Sequence, residues 1–417
     1  MAENQRPESA YAAGASGPSK SEIDDFTQQC DAWFRENTVN EPGFMLPLTF
    51  MEVSTDQQFD FLRNWQRKVY EAGYLGMSWP AIYGGGGMHD EYQRIATRIM
   101  RKYDAPIMIN AIGNGWAGPL ILDMGDEAMK RRFIKPMLAA EEIWCQGFSE
   151  PEHGSDLGSA QTKAVRDGDD YIINGSKIWT SLGDRADQMI LLARTSNDGP
   201  SKYAGLSFFL APMKIPGVET RRIKKLTGEY GFVQCFFTDA RIPANGIMGE
   251  EGQGWSMAMK TLEYERGAKV KPVGGYFVKE MDVMSVVDMA KTARRGGRPV
   301  LDDPIICDKL VEHIIDIQAL NLNNQRRRMA PLNMDRPMGL ALLNKLGRTE
   351  LIRELTEFSL NFLGSRAGYY VDEPNAADNG YWHRSYLNSF SATIGGGTSE
   401  IQRNIVAEHV LGLPKGR

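Results

Sequence analysis

Apolar positions along this chain follow two different periods, and the switches between them divide it into three parts. Over residues 21–143 the spacing is helical. Ser21-Glu22-Ile23-Asp24 reads as a capping box, and Phe26, Cys30, Trp33 and Phe34 follow it at helical intervals. Thr55 is placed to cap a second helix, which carries Phe59, Leu62, Trp65 and Val69 on one face and stops at Gly73. From 144 to 245 the period shortens. Residues 171–173, 189–192 and 206–210 are apolar runs of strand length, and Asp167-Gly168-Asp169 and Asn174-Gly175 read as turn signals between strands. Helical spacing returns within 246–417, in stretches near 256–292, 304–330, 339–364 and 398–411, and residues 294–299 break the first pair. There is no internal repeat. The pattern alone predicts an α–β–α order with a small β domain in the middle.

Composition refines this mainly by exclusion. A chain of 417 residues with 42% hydrophobic and 24% charged content has room for several packed layers and looks like an ordinary globular protein. The net charge of -5 offers no electrostatic ground for nucleic-acid binding, and the longest basic run, Arg326-Arg327-Arg328, reads as a solvated helix end. Cys30, Cys145, Cys235 and Cys307 lie far apart with no CxxC pair, which argues against a disulfide framework or a metal site and points to a cytoplasmic protein. Residues 1–20 are rich in Ala, Gly, Ser, Glu and Pro and are expected to be a disordered tail rather than a signal peptide. No window of about 18 apolar residues exists, so no membrane-spanning helix is expected. The glycines at 84–87 have no Lys-Ser/Thr after them and no clear strand before them, and read as a flexible turn rather than a phosphate loop.

Three segments carry candidate chemistry. They are Phe148-Ser149-Glu150-Pro151-Glu152-His153-Gly154-Ser155-Asp156, then Lys177-Ile178-Trp179-Thr180-Ser181, and then Ile394-Gly395-Gly396-Gly397-Thr398-Ser399-Glu400-Ile401-Gln402-Arg403. In this order and on an α–β–α chain they resemble the acyl-CoA dehydrogenases, including bacterial members acting on steroid side chains; residues 73–80 are similar to that family's N-terminal domain. The resemblance implies an α+β fold, with an N-terminal α-helical domain (21–143), a middle β-barrel or sandwich domain (144–245) and a C-terminal four-helix-bundle domain (246–417). It also implies FAD as cofactor. An isoalloxazine ring needs an apolar plate to stack on and donors at its polar edge. By position in the family's motifs, Phe148 and Ser149 meet the pyrimidine side, Trp179 covers a ring face, and Ser181 donates toward N5. Gly154 and Ser155 belong to the same cofactor-binding signature, with Ser155 also near the substrate. Thr398 begins a helix whose positive N-terminus suits the pyrophosphate or ribityl portion, with Glu400 beside it. Taken singly, Trp179 reads as a core aromatic and Ser149 as a strand-end hydroxyl. His153 reads as a loop residue near the CoA entrance.

The activity implied is α,β-desaturation of an acyl-CoA, in which a carboxylate removes the α-proton while the β-hydrogen leaves as hydride to the flavin. Many family members carry that carboxylate directly before the Gly-Thr pair, where this chain has Gly396. Glu265, within Leu262-Glu263-Tyr264-Glu265-Arg266, stands where branched-chain and long-chain members place it instead; read without the family, it is a solvated helix residue pairing with Lys269. Glu263 falls where the family contacts pantetheine, and Arg266 is the usual follower, placed either to pair structurally or to lie near the substrate. The Gly396 N–H is a candidate donor to the thioester oxygen, and the glycine leaves room for a bulky, branched or steroid-like acyl chain. Two segments depart from the family pattern. Arg294 stands in a stretch with no following phenylalanine, and Asn361 and Gly364 stand in an altered glycine-rich stretch. Both normally serve the FAD of a neighbouring subunit. The expected partners are an acyl-CoA, an electron-transfer flavoprotein and three further subunits in a homo- or hetero-tetramer built as a dimer of dimers. Alternatives are a subunit with a reduced flavin complement and a flavin monooxygenase of the same fold; Glu263 and Glu265 argue against the latter.

Overall fold

The computed structural model describes residues 17–265, 283–327, 329 and 337–415; most of the predicted tail, with Arg266, Lys269 and Arg328, lies outside the described residues. Helix α1 (Lys20–Asn37) is capped by Ser19 rather than Ser21. The Glu22 carboxylate accepts from the Ser19 N–H at 2.8 Å while the Ser19 hydroxyl accepts from the Glu22 N–H. A box on Ser21 and Asp24 would need the same reach from a carboxylate one methylene shorter. Helix α2 (Asp56–Glu71) starts at Thr55 as expected, in a reciprocal box with Gln58, and Gly73 beyond its end takes the left-handed φ of +86°. The glycine turn at 84–87 is packed rather than flexible. Its Gly86 and Gly87 N–H groups donate to the Gly76 and Trp79 carbonyls at 2.9 and 2.8 Å. A Cβ on Gly85 would come within 2.2 Å of the Trp79 oxygen, so only glycine fits. Helix α3 (Asp90–Lys102) follows. A π-helical turn (Gly113–Ala117) then runs into α4 (Gly118–Met124), and α5 (Glu127–Leu138) leads to the sheet.

The strands are β1 (Trp144–Gly147), β2 (Lys163–Asp167), β3 (Asp170–Ser181), β4 (Gln188–Arg194), β5 (Leu206–Pro212), β6 (Val218–Ile223) and β7 (Phe232–Pro243). They form one seven-stranded sheet in the order β1-β4-β2-β3-β7-β6, with β5 paired to β4. Side chains alternate across β4 and β5, and both faces are buried. Ile190, Leu192, Phe208 and Leu210 join the helical core, while Met189, Leu191, Phe209 and Ala211 fill the inside of the sheet. This explains why these strands read as unbroken apolar runs. Asn174-Gly175 is not a turn. It lies inside β3 at a bulge against β7, with Gly175 at φ +146° and the Asn174 amide bonded to both the carboxylate and the N–H of Asp239 at 3.0 Å. Helix α6 (Gly254–Glu265) closes this compact unit.

A second compact unit is made of α7 (Val283–Thr292), the hairpin β8 (Arg294–Arg295) and β9 (Arg298–Pro299), α8 (Pro304–Arg327), α9 (Pro337–Leu363), α10 (Tyr381–Ala392) and α11 (Ser399–Ile405). The predicted break at 294–299 is this hairpin, turned by Gly296 and Gly297 at φ +57° and +82°. Helix α9 packs against α7, α8 and α10, the four-helix arrangement expected of the C-terminal domain. Helix α10 escaped the sequence reading because its buried positions are Trp382, Arg384 and Ser389, not an aliphatic stripe.

Candidate active site

The Phe148–Asp156 signature leaves the end of β1 and is fastened to β3 by a buried ion pair. Lys177 is fully buried, and its Nζ donates to the Glu150 carboxylate at 2.8 Å and to the Phe148 carbonyl at 3.0 Å. Glu150 also accepts the N–H groups of Gln161 at 2.6 Å and Thr162 at 2.8 Å. Burial alone would raise the Glu150 carboxyl, but the Lys177 charge and these donors outweigh it and hold it below the usual carboxylate range. Burial brings the Lys177 ammonium down to about 8 against the opposing pull of Glu150. The Ser149 carbonyl accepts from the Ile178 N–H at 2.9 Å, completing the splice between the two segments. Neither Glu150 nor Lys177 was singled out from sequence. The available signal was a lysine inside an apolar strand following a Glu-Pro turn.

Beyond this splice β3 bulges between Lys177 and Thr180. Trp179 sits in the bulge with φ +62°, a left-handed conformation that is an outlier for a bulky residue, and the residue is 56% exposed. It is therefore not a core aromatic. Its ring stands edge-on to Phe232, with centroids 6.1 Å apart. Ser181, two residues on, is buried at the end of the strand. The Phe148 ring is also buried, packed edge-to-face on Phe208, so a ligand would meet its main chain rather than its ring. Gly154 and Ser155 lie in an exposed loop whose base is closed by reciprocal bonds between the Glu150 and His153 main chains at 3.1 and 3.0 Å. His153 is half-buried in that loop. An exposed, conformationally strained indole beside a buried hydroxyl, on a strand pinned from within, fits the plate and polar edge that a flavin ring requires.

On α6, Glu263 and Glu265 are both half-buried. Two residues apart on a helix, they project to nearly opposite sides, so one group cannot meet the same ligand atom as the other. Lys260 lies 3.7 Å from Glu263, and the intervening Tyr264 is buried, donating to Asp123 on α4 at 2.6 Å. Arg266 lies outside the described residues.

In the second unit, Gly396 and Gly397 take φ +67° and +92°, so an acidic side chain at 396 would have to adopt a backbone that L-residues disfavour. Their carbonyls are held by Gln402 Nε2 at 2.8 Å and Lys345 Nζ at 2.7 Å. Thr398 caps α11, accepting the Ile401 N–H at 3.2 Å. Glu400 bonds its own N–H and the Thr398 hydroxyl, which lowers its pKa and places a carboxylate in that first turn. Arg294, Asn361 and Gly364 are exposed on this unit, Gly364 with φ +59° just past the end of α9.

Comparison with known proteins decides the family. Models of the acyl-CoA dehydrogenase N-terminal, middle and C-terminal domains match residues 49–141, 145–239 and 252–411. The acyl-CoA dehydrogenase IpdE1 of Mycobacterium tuberculosis is 33% identical over 398 residues, covering 94% of this chain and 98% of its own. The chain belongs to the acyl-CoA dehydrogenase family. It is thus an oxidoreductase of a family of FAD-dependent flavoproteins. The IpdE1 protein of Mycolicibacterium smegmatis is 34% identical over 94% of this chain and 98% of its own. Among solved structures, the ChsE4-ChsE5 complex from Mycobacterium tuberculosis superposes with a TM-score of 0.75 at 26% identity, covering 96% of this chain and 99% of that one. The Tcur3481-Tcur3483 steroid acyl-CoA dehydrogenase superposes with a TM-score of 0.76 at 24% identity over 96% and 99%, a likeness of fold. No helix among the described residues is long and apolar enough to cross a membrane, and they contain no cluster of metal-ligating side chains.

Proposed function

We propose that this chain is a FAD-dependent acyl-CoA dehydrogenase that desaturates a bulky, branched or steroid-like acyl-CoA and passes electrons to an electron-transfer flavoprotein. The observation that carries the cofactor assignment is the Lys177–Glu150 splice presenting Trp179 in its strained, exposed bulge. Trp179 supplies the stacking plate, Ser181 a donor at the polar edge, and Phe148 and Ser149 the main chain at the pyrimidine side. Gly154 and Ser155 border the same site, and in the second unit Thr398 and Glu400, at the N-terminus of α11, are the cofactor-binding candidates. FAD, when bound, supplies the hydride acceptor for the β-hydrogen.

The rest of the chemistry belongs to the chain. Glu265 takes the α-proton from a half-buried place on α6. The Gly396 N–H donates to the thioester oxygen as charge develops there. Glu263 contacts the pantetheine arm and Arg266 the substrate. The experiment is Glu265→Gln in the flavin-loaded protein. Flavin content and binding of an acyl-CoA product are expected to persist, while reduction of the flavin by substrate slows by about 100- to 10,000-fold. Reduction at the wild-type rate would remove Glu265 from the role.

A second reading concerns assembly. Arg294, Asn361 and Gly364 lie exposed, in segments that depart from the family pattern for completing a neighbour's FAD site. Among the similar structures is a complex of two differently named chains. A hetero-tetramer with fewer flavins than chains follows from these departures, whereas a homo-tetramer follows if they are tolerated. The visible spectrum and flavin-to-chain ratio of the protein purified alone separate the two.

A further inference from the structure

The π-helical turn Gly113–Ala117 carries Asn114, four residues after Asn110, which stands just before the helix, and the two asparagines behave in opposite ways. Asn110 uses its whole amide. Its Oδ1 accepts from the Trp144 N–H at 2.9 Å, and its Nδ2 donates to the Met137 and Glu142 carbonyls, each at 2.9 Å. Asn114 is equally buried, at 0% exposure, yet neither Oδ1 nor Nδ2 has a hydrogen-bond partner among the described residues. An amide with both ends unpaired in an apolar surrounding is destabilising, so a purely structural role leaves it unexplained. π-Helical turns of this kind recur at functional sites.

Among the elements that neighbour the turn are a helix and a strand. The turn packs against α6, the helix that ends in Glu265, and against β1. Along β1, Cys145 points into the sheet, while Trp144 and Phe148 point into the helical core. Alternation puts Gln146 on that same face, two residues from Phe148, and its Oε1 is also buried without a partner among the described residues. An unpaired donor and two unpaired acceptors therefore come from two elements that pack together, at the edge of the helical core to which Trp144 and Phe148 belong.

We propose that Asn114 and Gln146 form a subsite that hydrogen-bonds an oxygen substituent, a hydroxyl or ring ketone, on the acyl group of the substrate. This rests on the dehydrogenase reading and narrows it: the preferred acyl group is oxygenated away from the thioester, not a plain hydrocarbon. A hydroxyl accepts from the Asn114 Nδ2 and donates to one of the two amide oxygens, whereas a ketone only accepts from the Asn114 Nδ2.

The test compares cyclohexylpropanoyl-CoA with its ring-ketone and ring-alcohol analogues on the flavin-loaded protein, by calorimetric affinity and by rate of flavin reduction. The wild type is expected to favour an oxygenated ester by about 10- to 100-fold. Asn114→Leu, nearly isosteric, is expected to erase that preference while binding the hydrocarbon ester as well as before or better and keeping its flavin. Gln146→Met, on a different element, is expected to lower the same preference and guards against a folding defect in the first variant. Equal affinities in the wild type, an unchanged preference in both variants, or a parallel loss for all esters would each overturn the proposal. Failure of the dehydrogenase reading has a different signature, since no ester would then reduce the flavin while the calorimetric preference still decides the role of the amides.

Discussion

Lys177→Met is the sharpest perturbation of the proposed flavin platform, because it removes one partner of a fully buried pair and touches nothing on the surface. The ammonium makes two bonds, to Glu150 at 2.8 Å and to the Phe148 carbonyl at 3.0 Å, at 0% exposure. Removing one member of a buried ion pair costs about 3–5 kcal/mol. Glu150 keeps the Gln161 and Thr162 N–H groups at 2.6 and 2.8 Å, which places its share near the lower end. The orphaned Phe148 carbonyl adds about 1 kcal/mol, for a total near 4 kcal/mol. With a slope of about 3 kcal/mol per molar urea, the midpoint falls by roughly 1 M. Flavin should be lost with it, since the same bonds hold the Phe148–Ser149 turn against the strand that bears Trp179 and Ser181. The double variant Glu150→Gln with Lys177→Met removes the uncompensated charge and should recover about 2 kcal/mol relative to the sum of the single changes. Urea titration followed by tryptophan fluorescence, with the flavin-to-chain absorbance ratio, reads both effects. An unaltered midpoint and flavin content in Lys177→Met, or strictly additive effects in the double variant, would refute the reasoning.

Further outcomes follow from the same platform. Trp179→Ala removes an exposed ring and should change the stability of the flavin-free protein by no more than about 0.5 kcal/mol, while weakening flavin affinity by about 3- to 10-fold in a fluorescence titration. Equal affinity would mean that the indole is not the plate. Glu150→Gln probes pH dependence. The carboxyl of Glu150 titrates below its ordinary value of 4.5 in the folded chain, so its stabilisation is complete above that value and is lost as pH falls through the lower, folded one. The stability gap between wild type and this variant, measured by urea titration, should stay constant from neutrality down to about pH 5 and close in stronger acid. A gap that persists in strong acid would show that the group is not ionised in the fold.

Much of the architecture was legible because it is written in short-range patterns. The helix caps at Thr55 and Thr398 and the apolar runs of β4 and β5 each depend on residues a few positions apart. The misreadings came where a local signal was answered by a distant partner. Asn174-Gly175 looks like a hairpin turn, but the Asn174 amide bonds Asp239 across β7, and Gly175 lies too close to Thr162 to carry a side chain. The glycines at 84–87 look loose, but the backbone of Met77 and Trp79 lies against them. Helix α10 lacks the aliphatic stripe that marks a helix and is stabilised through Trp382 and polar neighbours instead.

The candidate site divides along the same line. Sequence by itself determined the family resemblance, the order of its three segments, the absence of an acid at 396 and the presence of one at 265, because these are matters of identity and spacing. Tertiary structure decided which side chains are held and which are offered. Trp179 is turned outward by a bulge that exists only because β3 pairs with β7, and the Phe148 ring is turned inward onto Phe208. Glu150 and Lys177 became a pair only when strands 27 residues apart were brought together and water was excluded. The difference between Asn110 and Asn114, the same residue type four positions apart at the start of one helix, is likewise invisible in the chain. Burial turns a polar side chain into either a fastener or a recognition group, and which of the two depends on partners that only the fold supplies.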